Sequence, residues 1–141
     1  MMIRIDLQLI LAILDRQLSE HGGGAGIRDA GLLESALELP IHLASLGDPP
    51  PDLAQSAASL IFGLSRNHPF IDGNKRTSAV AVEVFIVLNG GQLRAEDAEL
   101  YAIFVALAAG DLDENGLAEW LRSRISLASG VRVQEAVVEC G

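Results

Sequence analysis

The sequence predicts an all-α protein, a compact helical bundle that forms one domain over residues 1–125 and leaves a tail at 126–141. Half of the 141 residues are hydrophobic but only 4% are aromatic, and abundant alanine and leucine favour helices over sheets. Apolar residues recur at helical spacing in segments that capping residues, glycine and proline separate. A chain of this length can bury one sizeable core without disulfides or metals.

Aspartates mark the start of three predicted helices in the first half of the chain. A carboxylate at this position accepts hydrogen bonds from the free N–H groups of the first turn. The predicted helices run from Asp6 to about Glu20, from Asp29 through Leu39, and from Asp52 to about Asn67. A glycine loop, residues 22–26, ends the first of them. We expect Pro40 to stop the second, with a brief turn or helix over residues 41–46.

Three further helices are predicted at residues 75–88, 96–109 and 113–124, the last capped by Asp113. The first of these is apolar on all sides, which is typical of a helix buried in the middle of a bundle. Its β-branched residues would also suit a strand, but its length favours a helix. Glu83 within it is either solvated at one edge or paired with an arginine. The tail lacks helical periodicity and predicts a loose segment, with a short hairpin as the alternative.

Charge and cysteine content exclude several classes of protein. With 19 acidic and 10 basic residues the net charge is −9, the opposite sign from that of a typical nucleic-acid binder, so no direct nucleic-acid partner is expected. The single cysteine, Cys140, allows neither a disulfide within the chain nor a zinc cluster, which suits a reducing cytoplasm. Neither a signal-peptide pattern nor a stretch long enough to span a bilayer is present. We therefore expect a cytoplasmic protein without a membrane partner.

Basic charge is concentrated in one short segment. The single lysine, Lys75, lies with Arg66 and Arg76 in an eleven-residue window whose only acid is Asp72. Chance clustering is the simple explanation. However, Lys75 and Arg76 fall at a predicted helix N-terminus, where the helix dipole disfavours cations. Their position indicates that an anion binds there.

The residue types of segment 68–77 suit an attack on phosphate. Gly73 permits close approach of a ligand to the backbone, and the free N–H groups at the helix start form an anion site. Lys75 and Arg76 add charge for a phosphate. Asp72 is a candidate Mg²⁺ ligand, and His68 is a candidate general base.

Simpler roles remain open for several of these residues. His68 could merely cap the end of the preceding helix. Asp72 and Asn74 could serve only as N-caps of the following helix. Arg66 is either a surface residue or a further phosphate contact.

The segment His68-Pro69-Phe70-Ile71-Asp72-Gly73-Asn74-Lys75-Arg76 resembles the signature of the Fic/Doc family. That signature reads His-x-Phe-x-Asp/Glu-Gly/Ala-Asn-Gly/Lys-Arg, and every defined position is matched. The resemblance extends to residues 21–23, 26–37 and 107–110 and covers roughly residues 5–124. Lys75 stands where the adenylylating members have glycine, and in this it resembles the Doc branch of toxins. The arginine that many members carry three residues after the motif is replaced by Ala79.

The resemblance implies a helical bundle with the motif loop between two central helices. It also implies a toxin of a type II toxin–antitoxin system that uses ATP and Mg²⁺ to phosphorylate a threonine of a translation factor, elongation factor Tu, and so blocks translation. Transfer of AMP is the alternative chemistry. An antitoxin is expected to lay its C-terminal segment in a hydrophobic groove. An idle binding module is disfavoured by the intact motif, and a ribonuclease toxin by the acidic charge.

The motif also assigns roles residue by residue. His68 would be the base, Asp72 the metal ligand and Phe70 a structural residue. By the same match Asn74, Lys75 and Arg76 would be the phosphate contacts. Gly73 and Arg66 complete the predicted nucleotide and phosphate contacts on their residue type and position.

Overall fold

Six helices and one small β-ribbon make up the part of the chain that the computed structural model describes, residues 2–47 and 49–127. The helices are α1 (Leu7–His21), α2 (Ala30–Leu46), α3 (Leu53–Asn67), α4 (Asn74–Leu88), α5 (Asp97–Ala109) and α6 (Glu114–Arg124). The strands are β1 (Gly91–Leu93) and β2 (Ile125–Leu127). The predicted all-α class is confirmed. No helix within the described ranges is long and apolar enough to cross a lipid bilayer.

Aspartate side chains cap four of the helices at the positions that the sequence predicts. Each accepts a hydrogen bond from the N–H group three residues ahead, which satisfies a donor that the first turn leaves free. The capping residues are Asp6 for α1, Asp29 for α2, Asp52 for α3 and Asp113 for α6. Local signals therefore set these helix starts.

Pro40 does not stop α2, and the predicted helix end at Leu39 is wrong. The helix continues to Leu46 with Pro40 buried inside it. Proline removes one backbone hydrogen bond from a helix interior, but α2 packs closely along α3. A Cβ atom on Gly63 of α3 would lie only 2.5 Å from Cδ1 of Leu39. Burial along this interface outweighs the lost bond.

The most buried helix is α3, which packs against α2, α4, α5 and α6. The prediction that α4 is buried all round is correct for one side only. Phe85 and Ile86 lie fully in the core, whereas Val87 is 61% exposed and Leu88 is 38% exposed. One face of α4 thus forms an apolar surface. The loop between α3 and α4 carries the motif, so the two helices position it.

Strands β1 and β2 pair antiparallel, with Gly91 opposite Leu127 and Leu93 opposite Ile125. The sequence predicts no strand at residues 91–93, since three residues are too few to show an alternating pattern. The predicted domain boundary at residue 125 falls within β2. Residues 128–141, most of the predicted tail, lie outside the described residues.

Candidate active site

The motif loop, residues 68–73, borders an open pocket of about 300 Å³. Seven of the lining residues belong to the motif segment, and the eighth comes from α5. The lining residues are His68, Ile71, Asp72, Gly73, Asn74, Lys75, Arg76 and Tyr101. The structure thus brings together all the predicted site residues except Phe70 and Arg66.

Phe70 and Asn74 anchor the motif loop to the bundle. The side chain of Phe70 is fully buried in the core. Its backbone N–H donates to Oδ1 of Asn74 at 2.9 Å, and Nδ2 of Asn74 donates back to its carbonyl oxygen at 2.8 Å. An isolated bridge also joins Ile27 to Phe70. Since Asn74 is itself buried, its side chain serves the loop, and a phosphate contact would fall to its backbone N–H.

His68 ends α3 in a left-handed backbone conformation, with φ 47° and ψ 56°. His68 therefore caps the helix, which is the simpler of its two predicted roles. Its side chain is also exposed and borders the pocket. The residue also borders a narrow cleft of about 30 Å³ between α3, α4 and α5, room for about one water molecule. Its position leaves the imidazole accessible to a substrate.

Asp72 presents an exposed carboxylate to the same pocket. Its Oδ2 accepts a hydrogen bond from the backbone N–H of Gly24 at 2.6 Å, in the glycine loop. It does not cap α4, since Gly73 is the N-cap residue and makes no side-chain cap. The glycine loop thus orients the carboxylate from one side, and Oδ1 has no hydrogen-bond partner among the described residues.

The donor set around Asp72 fits Mg²⁺ when a phosphate is also bound. The described residues contain no group of three or more His, Cys, Asp or Glu side chains that could hold a metal by themselves. Mg²⁺ commonly binds through one or two carboxylates together with phosphate oxygens and waters. One oriented carboxylate beside an anion site meets that requirement.

The start of α4 has the features of an anion site. Gly73 has φ 78°, in the left-handed region that favours glycine. The first helical bond runs from the N–H of Thr77 to the carbonyl of Gly73 at 2.9 Å, so the three preceding N–H groups lack helical partners. Lys75 and Arg76 are exposed beside them. Backbone dipoles and two cations here suit a phosphate.

Arg66 does not reach this pocket. Its guanidinium lies over the ring of Phe62, with 5.5 Å between the guanidinium carbon and the ring centroid. It borders a separate depression with Leu107 and Ala108. The structure thus gives Arg66 a cation–π contact, and its predicted phosphate contact stays a prediction.

Three residues of the site are missed by the sequence analysis. Tyr101 borders the pocket and is 58% exposed. Arg28 donates hydrogen bonds to the carbonyl oxygens of Asn67 and His68, and Gly24 holds Asp72. The only signal for Arg28 and Gly24 is their place in or beside the segments that resemble the Fic/Doc family. Nothing in the sequence near Tyr101 indicates its position.

Comparisons with known proteins find related sequences. A family model described as the Fic/DOC family matches residues 4–86. The protein named Toxin Doc of Mycolicibacterium smegmatis (strain ATCC 700084 / mc(2)155) is 43% identical over 75 residues, which is 53% of this chain and 58% of that protein. Protein kinase doc of Escherichia phage P1 is 28% identical over 113 residues, which is 80% of this chain and 88% of that protein. The alignment thus spans less than two thirds of the first relative and most of the second.

Proposed function

Because this chain belongs to the Fic/Doc family, with similarity to Doc toxins, we propose that it transfers the γ-phosphoryl group of ATP to a hydroxyl of a translation factor and so blocks translation. Family membership supports an enzymatic activity and a role as a toxin. The name of the phage relative, Protein kinase doc, supports phosphoryl transfer.

The observation that carries this proposal is the place of Lys75. It lies in the first turn of α4, in one pocket with His68 and Asp72. A lysine here fills space that a glycine would leave for the inner phosphates of a nucleotide, and it adds a point charge. We therefore expect the γ-phosphate to lie nearest His68.

The residues present can perform the transfer. The target hydroxyl oxygen forms a bond to the γ-phosphorus, and the bond from that phosphorus to the β–γ bridging oxygen breaks, so ADP leaves with the electron pair. The imidazole of His68 takes the hydroxyl proton. The N–H groups at the start of α4, with Lys75 and Arg76, stabilise charge on the phosphoryl oxygens. Asp72 would hold Mg²⁺, which neutralises phosphate charge when bound.

Transfer of AMP is the second candidate, because the motif from His68 to Asn74 is shared with adenylylating members of the family. The same base and anion site would then act at the α-phosphate. The two reactions differ in the part of ATP that ends on the target, so ATP labelled at the α or the γ phosphate separates them.

Toxin relatives imply an antitoxin partner, and the exposed face of α4 is the surface we propose for it. This surface consists of Val80, Val84, Val87 and Leu88 around Glu83, and these residues line an open pocket of about 260 Å³. None of the ion pairs among the described residues involves Glu83. An apolar antitoxin segment with one basic residue would complement it.

A charge placed on this surface tests the antitoxin site. Val87→Asp should weaken antitoxin binding at least about tenfold, because the one basic residue proposed for the antitoxin pairs with Glu83 and the new carboxylate must be buried without a partner. Val105→Asp on α5, where the valine is 45% exposed, is the matched control and should bind normally. Equal binding by both variants in isothermal titration would rule out the α4 surface.

Growth arrest tests the toxin function itself. His68→Asn removes the imidazole but suits the left-handed turn, which asparagine tolerates. Asp72→Asn keeps an acceptor for Gly24 but loses the charge. Cells that express either variant without antitoxin should grow, whereas wild type and the control His42→Asn, altered at an exposed residue of α2, should arrest growth. Arrest by a folded His68→Asn variant would contradict the proposal.

A further inference from the structure

His68 has a backbone conformation that its own chemistry does not favour. Among the described residues it is the one residue other than glycine with a positive φ. Most L-residues avoid this left-handed region because Cβ approaches the following carbonyl group. Surrounding contacts must therefore hold the turn. Those contacts also fix the direction of the Cα–Cβ bond from which the imidazole extends.

Three of these contacts come from Arg28, between the glycine loop and α2. Its Nε donates to the carbonyl oxygen of His68 at 2.7 Å, and its Nη2 donates to the carbonyl oxygen of Asn67 at 2.5 Å. Its backbone N–H donates to the carbonyl oxygen of Pro69 at 2.6 Å. One residue thus binds three consecutive carbonyl groups, those of His68 and of its two neighbours.

The guanidinium group suits this task better than any other side chain. Nε and one terminal nitrogen lie along one edge of a rigid plane, so two N–H groups reach two carbonyl oxygens at a fixed separation. The positive charge also meets the C-terminal carbonyl groups of α3, where the helix dipole favours a cation. None of the ion pairs in the described part of the chain involves Arg28. A lysine ammonium would be a point charge without this fork.

We propose that Arg28 is a positioning residue for His68. It fixes the turn at the end of α3 and so aims the imidazole into the pocket that also contains Asp72 and Lys75. Arg28 is not one of the residues that line that pocket, and it acts only through His68. The role rests on the proposed function, because it takes His68 as the base. The hydrogen bonds from Arg28 to the turn do not depend on that function.

Kinetics of the Arg28→Lys variant test the catalytic consequence. We expect kcat for phosphoryl transfer to fall about tenfold to a hundredfold, the cost of a base displaced by roughly 1 Å, with little change in KM for ATP. In the His68→Asn background, Arg28→Lys should cause no further loss, since it acts through the imidazole. Arg16→Lys in α1, which alters an exposed arginine paired with Glu20, is the control. A wild-type kcat, an effect on KM alone or an additive loss would overturn the proposal.

NMR provides a readout that does not require activity. The chain has three histidines, so His21 and His42 serve as internal references in the same spectrum. Arg28→Lys should shift or broaden the imidazole Hε1 signal of His68, assigned by its loss in His68→Asn, and leave the other two unchanged. An unchanged His68 signal overturns the positioning role.

The two readouts separate this proposal from the proposed function. A shifted His68 signal in a protein whose wild type transfers no phosphoryl group would support positioning and contradict the proposed function. If Arg28→Lys does not fold, Arg28→Gln, which retains N–H donors, is measured in the same way. The His68 signal can be measured in either variant, and an unchanged signal in the variant that folds would overturn the positioning role.

Discussion

Removal of the Asn74 amide should destabilise the whole fold. In this structure the side chain closes a ring with the backbone of Phe70, through bonds of 2.9 and 2.8 Å. Asn74→Ala leaves an N–H and a carbonyl group without partners at a residue that is fully buried. The motif asparagine is therefore a structural anchor whatever its contact with a nucleotide.

The size of the loss follows from the two groups. Each buried polar group left unpaired costs about 1–3 kcal/mol, so the two together cost about 2–6 kcal/mol. Ile71 and Asp72 beside the ring of hydrogen bonds are exposed, and water that reaches the loop would reduce the cost of the unpaired groups. We expect a loss of about 2–4 kcal/mol, a large part of a typical unfolding free energy of about 5–15 kcal/mol.

Urea unfolding followed by circular dichroism measures this loss. Asn74→Asp, which keeps the acceptor for Phe70 but loses the donor, should lie between wild type and Asn74→Ala. Asn115→Ala, at an exposed position of α6, is the control and should change the unfolding free energy by less than about 0.5 kcal/mol. An Asn74→Ala variant as stable as that control would refute the ring of hydrogen bonds.

Three further predictions follow from the same structure. Burial raises the pKa of Asp52, but the hydrogen bonds and charge of Arg122, together with the backbone N–H of Gln55, lower it further than burial raises it. The pair therefore stabilises the fold above the usual aspartate pKa range, and this stability is lost as pH falls through the lowered pKa. In urea titrations, Arg122→Ala should lose roughly 0.5–1 kcal/mol at neutral pH, allowing for solvent screening, and its stability should decline less in acid. Burial raises the pKa of Glu83, so the folded state binds the Glu83 proton more tightly than the unfolded state does. The free energy of unfolding therefore falls as pH rises from the ordinary glutamate pKa through the raised one. Glu83→Gln should be more stable at neutral pH and lack this decline. Gly23→Ala should reduce transfer activity while the chain remains folded by circular dichroism, because φ is +123° and the new Cβ would lie 3.1 Å from Cβ of Asp72.

Much of the fold is predictable because its signals are local. Asp6, Asp29, Asp52 and Asp113 each act on the helix that follows immediately. Pro40 shows the limit of this reasoning: its effect depends on how α2 packs on α3, about 20 residues further along the chain. The exposed face of α4 is missed for a related reason, since an apolar segment does not reveal which of its sides lacks a neighbour.

The candidate site is predictable for a different reason, namely that its residues are adjacent in the chain. One loop and one helix start bring His68, Asp72 and Lys75 into a single pocket. Arg28 and Tyr101 come from other elements, and their contacts with this loop depend on tertiary packing. Local sequence shows a residue's type but not the direction of its side chain.

The direction of a side chain also decides the case of Arg66. It is two residues from His68 in the sequence, yet its guanidinium lies over Phe62 and borders a separate depression. Proximity in the chain alone therefore does not place a side chain among the residues that line the pocket.

The position of the label transferred from ATP shows whether the protein transfers a phosphoryl group or AMP. The purified chain is incubated with cell extract and ATP labelled at either the α or the γ phosphate. Phosphoryl transfer predicts label on a protein of translation-factor size from γ-labelled ATP only, and loss of that label in Lys75→Gly and His68→Asn. Label from α-labelled ATP only would show that Lys75 does not direct the γ-phosphate to His68, and would contradict the proposed phosphoryl transfer.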